Sequence, residues 1–176
     1  MKRGILLIAL FFVIFSFNVD ARLFAQYSFE GNLDDSIGGY HLEEVGIMVY
    51  NADGMEGQAA DFVNDAKGLS SSWNALNSAE SYTISGWVKP LPENYNVAGR
   101  WLVRKADFSG DSDRGFLIQI WEDGRMHFYQ SVAGVFYNPL HSSLPLPHDG
   151  DWHHFAMVFE YDYFSDTSTM KAYLDG

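Results

Sequence analysis

Asp107, Asp111 and Asp113 fall within seven positions of the segment KADFSGDSDRGF. Carboxylate oxygens so spaced are hard ligands that wrap a calcium ion. The segment is not an EF-hand: counting from Asp111, the sixth residue is Phe116, where that loop needs glycine, and a strand begins there. A Ca2+ site and a solvated turn are equal readings of these three residues, and Ca2+ is the one cofactor the chain suggests. His153 and His154 invite a metal reading too, but neighbours on a strand point to opposite faces and cannot share one ion. Both read as structural histidines. With no cysteine in the chain and no Gly-x-Ser-x-Gly elbow beside a suitable Asp and His, no nucleophile is in sight and no enzyme is expected.

A different chemistry comes from alternation, which sorts the side chains of a strand onto two faces. Tyr82, Ile84 and Val88 form one set with Phe116, Ile118 and Ile120, with Met126 and Phe128, and with Met170, Ala172 and Leu174. This set is the expected core. The complementary set holds Thr83, Ser85, Trp87 and Lys89, then Gln119 and Trp121, His127 and Tyr129, Lys171 and Tyr173. Flat rings among amide, hydroxyl and imidazole groups suit sugars, whose C–H faces stack on aromatics while their hydroxyls hydrogen-bond. Trp87, Gln119, Trp121, His127, Tyr129 and Tyr173 are therefore the candidate ligand-binding residues. The competing reading has Trp87 and its neighbours packing beneath a covering loop.

The elements that must position these residues are strands. Short alternating segments bounded by Gly, Asp and Pro recur, and no apolar helical period is convincing. Strands are expected at 23–29, 46–50, 59–62, 82–89, 101–105, 115–121, 126–131, 152–159 and 170–174, with one long loop over 139–147. Asp123-Gly124 between two alternating runs predicts a hairpin with positive φ at both central positions, and Asp53-Gly54 reads likewise. Asp175-Gly176 is a third such turn, after which the returning strand is expected to be missing, leaving an unpaired edge.

Ahead of these strands, Lys2 and Arg3 precede an apolar run from Ile5 to Phe17, and Val19 and Ala21 supply the small-residue pattern of a cleavage site. Residues 1–21 are read as a signal peptide cut after Ala21. A membrane span would need roughly 20 apolar residues, more than this run holds, so no stable insertion is expected after cleavage. Removing 21 of 176 residues leaves 155, a single domain over 22–176. Loss of Lys2, Arg3 and Asp20, together +1, takes the formal charge from −12 to −13. That field repels phosphate backbones and anionic lipid, excluding nucleic acid as a partner and favouring cations or neutral ligands such as sugars. The absence of cysteine rules out disulfides and a lipid-modified cysteine, so the core, or a bound ion, must hold the exported domain together.

Five segments in order, AQYSFEGNLDDSIGGYH (25–41), DGMEGQAADF (53–62), SYTISGWVKP (81–90), DGDWHHFAMVF (149–159) and MKAYLDG (170–176), resemble the laminin-G-like domains of the concanavalin A-like lectin and glucanase superfamily. The resemblance implies an all-β fold, an antiparallel two-sheet jelly-roll β-sandwich, here expected to lack its closing C-terminal strands. Glucanases of that superfamily carry Glu-x-Asp-x-x-Glu on a catalytic strand. The nearest string here is Glu160, Asp162 and Ser165, whose third position lacks the carboxylate, so both acids read as solvated loop residues. The resemblance also implies that Asp34 and Asp35 lie in a turn able to hold a structural ion, against the alternative of a solvated turn. It makes a tryptophan at position 87 habitual. The function it implies is a secreted, non-catalytic binding or adhesion module for a glycan or a surface protein, with calcium support. The ancillary domain of a longer polysaccharide-active enzyme is the alternative.

Overall fold

Alternation of exposure is plain in two strands: in 82–88 every second residue is exposed, and in 153–159 every second residue is buried. Such strands need a partner sheet to cover one face. The computed structural model describes residues 22–61, 67–69, 81–90, 100–105, 115–132, 135–136, 140–147, 149–162, 165 and 167–176. Among them every regular element is a strand: β1 Glu43–Val45, β2 Val49–Asn51, β3 Ala59–Asp61, β4 Lys67–Leu69, β5 Tyr82–Val88, β6 Arg100–Lys105, β7 Gly115–Ile120, β8 Met126–Val132, β9 Val135–Phe136, β10 Leu140–His141, β11 His153–Asp162 and β12 Thr167–Leu174.

The strands make two main antiparallel sheets. One runs β10-β8-β7-β6, with β9 also on β8, and the other runs β12-β11-β5. Between them lie Phe116, Ile118, Met126, Phe128, Leu146, Phe155 and Met157, flanked by Tyr82, Ile84, Val88, Met170, Ala172 and Leu174. The core expected from alternation is therefore the core observed, and the fold is an all-β, antiparallel, jelly-roll-type sandwich. Full burial of each large apolar side chain is worth about 1.5–3 kcal/mol, which lets a chain without disulfides hold two sheets together. Gly86 faces Phe155 across the β5–β11 ladder, and a Cβ there would stand 3.0 Å from the Phe155 ring. The missing side chain makes room for the aromatic one.

Several expectations change. The 23–29 segment contributes only an isolated bridge, Tyr27 to Asp35, because the Asp35 carboxylate draws the neighbouring backbone into a loop. Its Oδ1 accepts the N–H groups of Gln26 and Ile37, at 2.8 and 2.9 Å, and its Oδ2 those of Gly38 and Tyr40, at 2.8 and 2.9 Å. A carboxylate has about four lone-pair sites. All four are taken by N–H donors, so Asp35 is a buried loop organiser, neither a solvated turn residue nor a free ion ligand. Burial alone would raise its pKa, but the four N–H groups outweigh that and hold it at about 2.

At Asp123-Gly124 only Gly124 has positive φ, 75°. Gly124 N–H donates to Trp121 O at 2.9 Å and Trp121 N–H to Arg125 O at 3.0 Å, a wider loop than the two-residue turn expected. Strand β10 lies inside the expected 139–147 loop. From the same loop Leu146 inserts fully into the core, its N–H donating to Gly124 O at 2.9 Å. Strand β11 continues through Glu160 and Asp162, so these acids are strand residues; Glu160 receives Lys171 Nζ at 3.3 Å and Asp162 receives Ser165 Oγ at 2.7 Å.

Candidate functional site

The six candidate ligand-binding residues divide between two surfaces. Because inward residues of both sheets share one core, the complementary residues of each sheet face opposite sides of the sandwich. Gln119, Trp121, His127 and Tyr129 belong to the outer face of the β10-β8-β7-β6 sheet, and Trp87 and Tyr173 to that of the β12-β11-β5 sheet. The calcium candidates Asp107, Asp111 and Asp113 lie outside the described residues.

On the first face the ladder aligns Gln119, His127 and His141 in one row across β7, β8 and β10. Gln119 is 3% exposed although it faces away from the core, on a strand with a neighbour on each side. Its Nε2 donates to Tyr129 Oη at 3.2 Å, and Tyr129 Oη lies 3.4 Å from His127 Nδ1. The Tyr129 hydroxyl thus lies between the Gln119 amide and the His127 ring. The other ring nitrogen, Nε2, is on the side of Asp123. That atom is buried and has no hydrogen-bond partner among the described residues; Asp123 Oδ1, at 3.7 Å, is beyond hydrogen-bonding range.

Three rings surround this imidazole. Its centroid lies 5.8 Å from that of Trp121, 6.1 Å from Tyr129 and 5.5 Å from His141. Burial pushes the His127 pKa down, against the pull of Asp123 and with the push of His141, so the ring is neutral at neutral pH. Asp123 is held low, first by the N–H of Arg125 and also by His127, and stays ionised. Trp121, just past the end of β7, remains 42% exposed and offers a ring for stacking. The resulting surface has one open aromatic beside several oriented polar groups.

On the opposite face Trp87 packs edge-on against His154, with ring centroids 5.1 Å apart, and Tyr173 pairs with Ala156. Both aromatics are exposed, and Ser85 and Ala156 separate them along the ladder. Among the described residues no loop covers Trp87. His153 and His154 point to opposite sides as expected, the first inward and 7% exposed. Sequence reasoning missed His141 and Asp123 as contributors to the first face. His141 sits in a two-residue strand too short to show periodicity, and Asp123 registers in the sequence only as a turn residue.

Two antiparallel sheets around one core, one of them bearing a polar-aromatic face, define a lectin-like sandwich. A laminin G family model, described as the concanavalin A-like lectin/glucanases superfamily, matches residues 63–176, and the chain belongs to that superfamily. Segments 81–90, 149–159 and 170–176 of the resemblance lie within the match, and 25–41 and 53–62 lie before it. The fold commonly serves to bind carbohydrates or proteins, and some members of the superfamily are glycoside hydrolases. No curated protein and no solved structure matches the chain.

Proposed function

We propose that this protein is an exported, non-catalytic module that binds a glycan on the outer face of the β10-β8-β7-β6 sheet. The carrying observation is the Gln119–Tyr129–His127 network beside the half-exposed Trp121 ring. Stacking on Trp121 would hold a sugar ring by its C–H face, and the half-buried Tyr129 hydroxyl, positioned by the Gln119 amide, would read its hydroxyls. A neutral ligand also suits a chain of formal charge −12. Calcium support from Asp107, Asp111 and Asp113 and cleavage after Ala21 belong to the same proposal.

The full chain is screened on a glycan array, with and without chelator, beside Trp121→Ala and Tyr129→Ala. Loss of an aromatic anchor should weaken binding at least about tenfold, equivalent to about 1.4 kcal/mol. Glycan binding that survives both substitutions unchanged would sink the site. Binding and melting temperature indifferent to chelator would remove calcium from the proposal and leave the face intact.

A further inference from the structure

Outside the proposed site, the His153 ring is held between two carboxylates. Its Nδ1 lies 2.8 Å from Asp175 Oδ2 and its Nε2 lies 3.2 Å from Asp149 Oδ1. A neutral imidazole has one N–H and one lone pair, and a lone pair facing an ionised carboxylate oxygen is repelled. Only the imidazolium donates at both positions. We infer that His153 carries both protons at neutral pH and acts as a protonation-dependent clamp joining the Asp149 turn, the head of β11 and the Asp175 turn beyond β12.

The surroundings fit a doubly donating ring. The side chain is 8% exposed, while both aspartates remain about half open to water, so the buried cation has two partners without burying two anions. Asp175 is further fixed by the His154 N–H, which donates to Oδ1 at 2.9 Å, leaving Oδ2 for His153. Asp149 Oδ1 also accepts the Asp151 N–H at 2.9 Å. From β5, Val88 pairs with His153, and the adjacent Lys89 is engaged by Asp53 at 2.7 Å. Burial by itself would lower the pKa of His153, and the two carboxylates reverse that and raise it above 6.5.

A histidine whose folded pKa is raised contributes fully below its unfolded value near 6.5, and the contribution is lost as pH rises through the folded value. Asp149 and Asp175, both held low, contribute above 3.8 and lose that contribution as pH falls through their folded values. The clamp is complete between these limits and opens on the alkaline side. Opening would release the Asp149 turn from the head of β11.

The test is nitrogen-15 NMR of the full chain with labelled histidine, His153 being assigned with His153→Asn, alongside melting curves across pH for Asp149→Asn and Asp175→Asn. Both ring nitrogens of His153 should carry hydrogen at neutral pH. Its titration midpoint should shift down in each aspartate variant, and the alkaline fall in melting temperature should shrink. A single neutral tautomer at neutral pH, or a midpoint unmoved by both variants, would overturn the clamp. Because Asp149 lies in an exposed turn, its variant keeps the test decisive if Asp175→Asn does not fold.

Discussion

The two outer faces of the sandwich obey the same alternation and end as different surfaces. On the β10-β8-β7-β6 sheet the polar groups are tied to one another: Gln119 to Tyr129, and Tyr129 toward His127. On the β12-β11-β5 sheet Trp87 and Tyr173 stand 48% and 43% exposed, with Ser85 and Ala156 between them. The residues also differ in strand position. Gln119 lies on a strand with partners on both sides, whereas Trp87 and Tyr173 lie on strands that, among the described residues, are the outermost of their sheet. An oriented face loses less side-chain freedom on binding than an open one, so exposed aromatic area is a poor guide to where a small ligand binds.

The largest effect separating the faces is expected from one hydroxyl on each. Tyr129→Phe removes the acceptor of the Gln119 amide, and leaving a buried donor unsatisfied costs about 1–3 kcal/mol. Tyr173→Phe, on an exposed site, should stay within about 0.5 kcal/mol. Denaturant midpoints of the two variants measure the contrast directly. Equal losses would show that the first face is no more organised than the second.

Alternation made the core legible, since Tyr82, Ile84, Phe116, Ile118, Met126 and Phe128 all line it, and it identified the outward residues as well. It could not assign each outward residue to a sheet. That assignment depends on pairing between distant segments: β5 joins β11 and not the nearer β6 or β7. The Asp35 cradle was hidden for a related reason. Its carboxylate collects N–H groups from both sides of the loop, Gln26 before it and Tyr40 after it, and no local period reports such a bond. The His153 clamp likewise joins residues 22 positions apart.

A second, pH-dependent contrast separates the faces. The folded pKa of His127 is depressed, so below 6.5 the unfolded chain binds the proton more readily and the folded state loses stability until pH passes the folded value. Asp123 moderates this loss, and His141 and Arg125 add to it. Melting temperatures between neutral and mildly acid pH should therefore fall less for His127→Gln than for the parent chain, and more for Asp123→Asn. An acid dependence identical in His127→Gln would mean that burial of this ring has no energetic consequence.

The smallest effect is expected on the open face. Trp87→Ala removes a half-exposed ring whose described contact is the edge of His154, so stability should change by less than about 1 kcal/mol. Glycan affinity should stay at the parent value, because the indole lies across the sandwich from Trp121 and Tyr129. The informative comparison is with Trp121→Ala, which removes a ring of similar exposure from the organised face. If Trp87→Ala abolished binding and Trp121→Ala did not, the open face would be the binding surface, and orientation of polar groups would have been the wrong criterion for choosing between them.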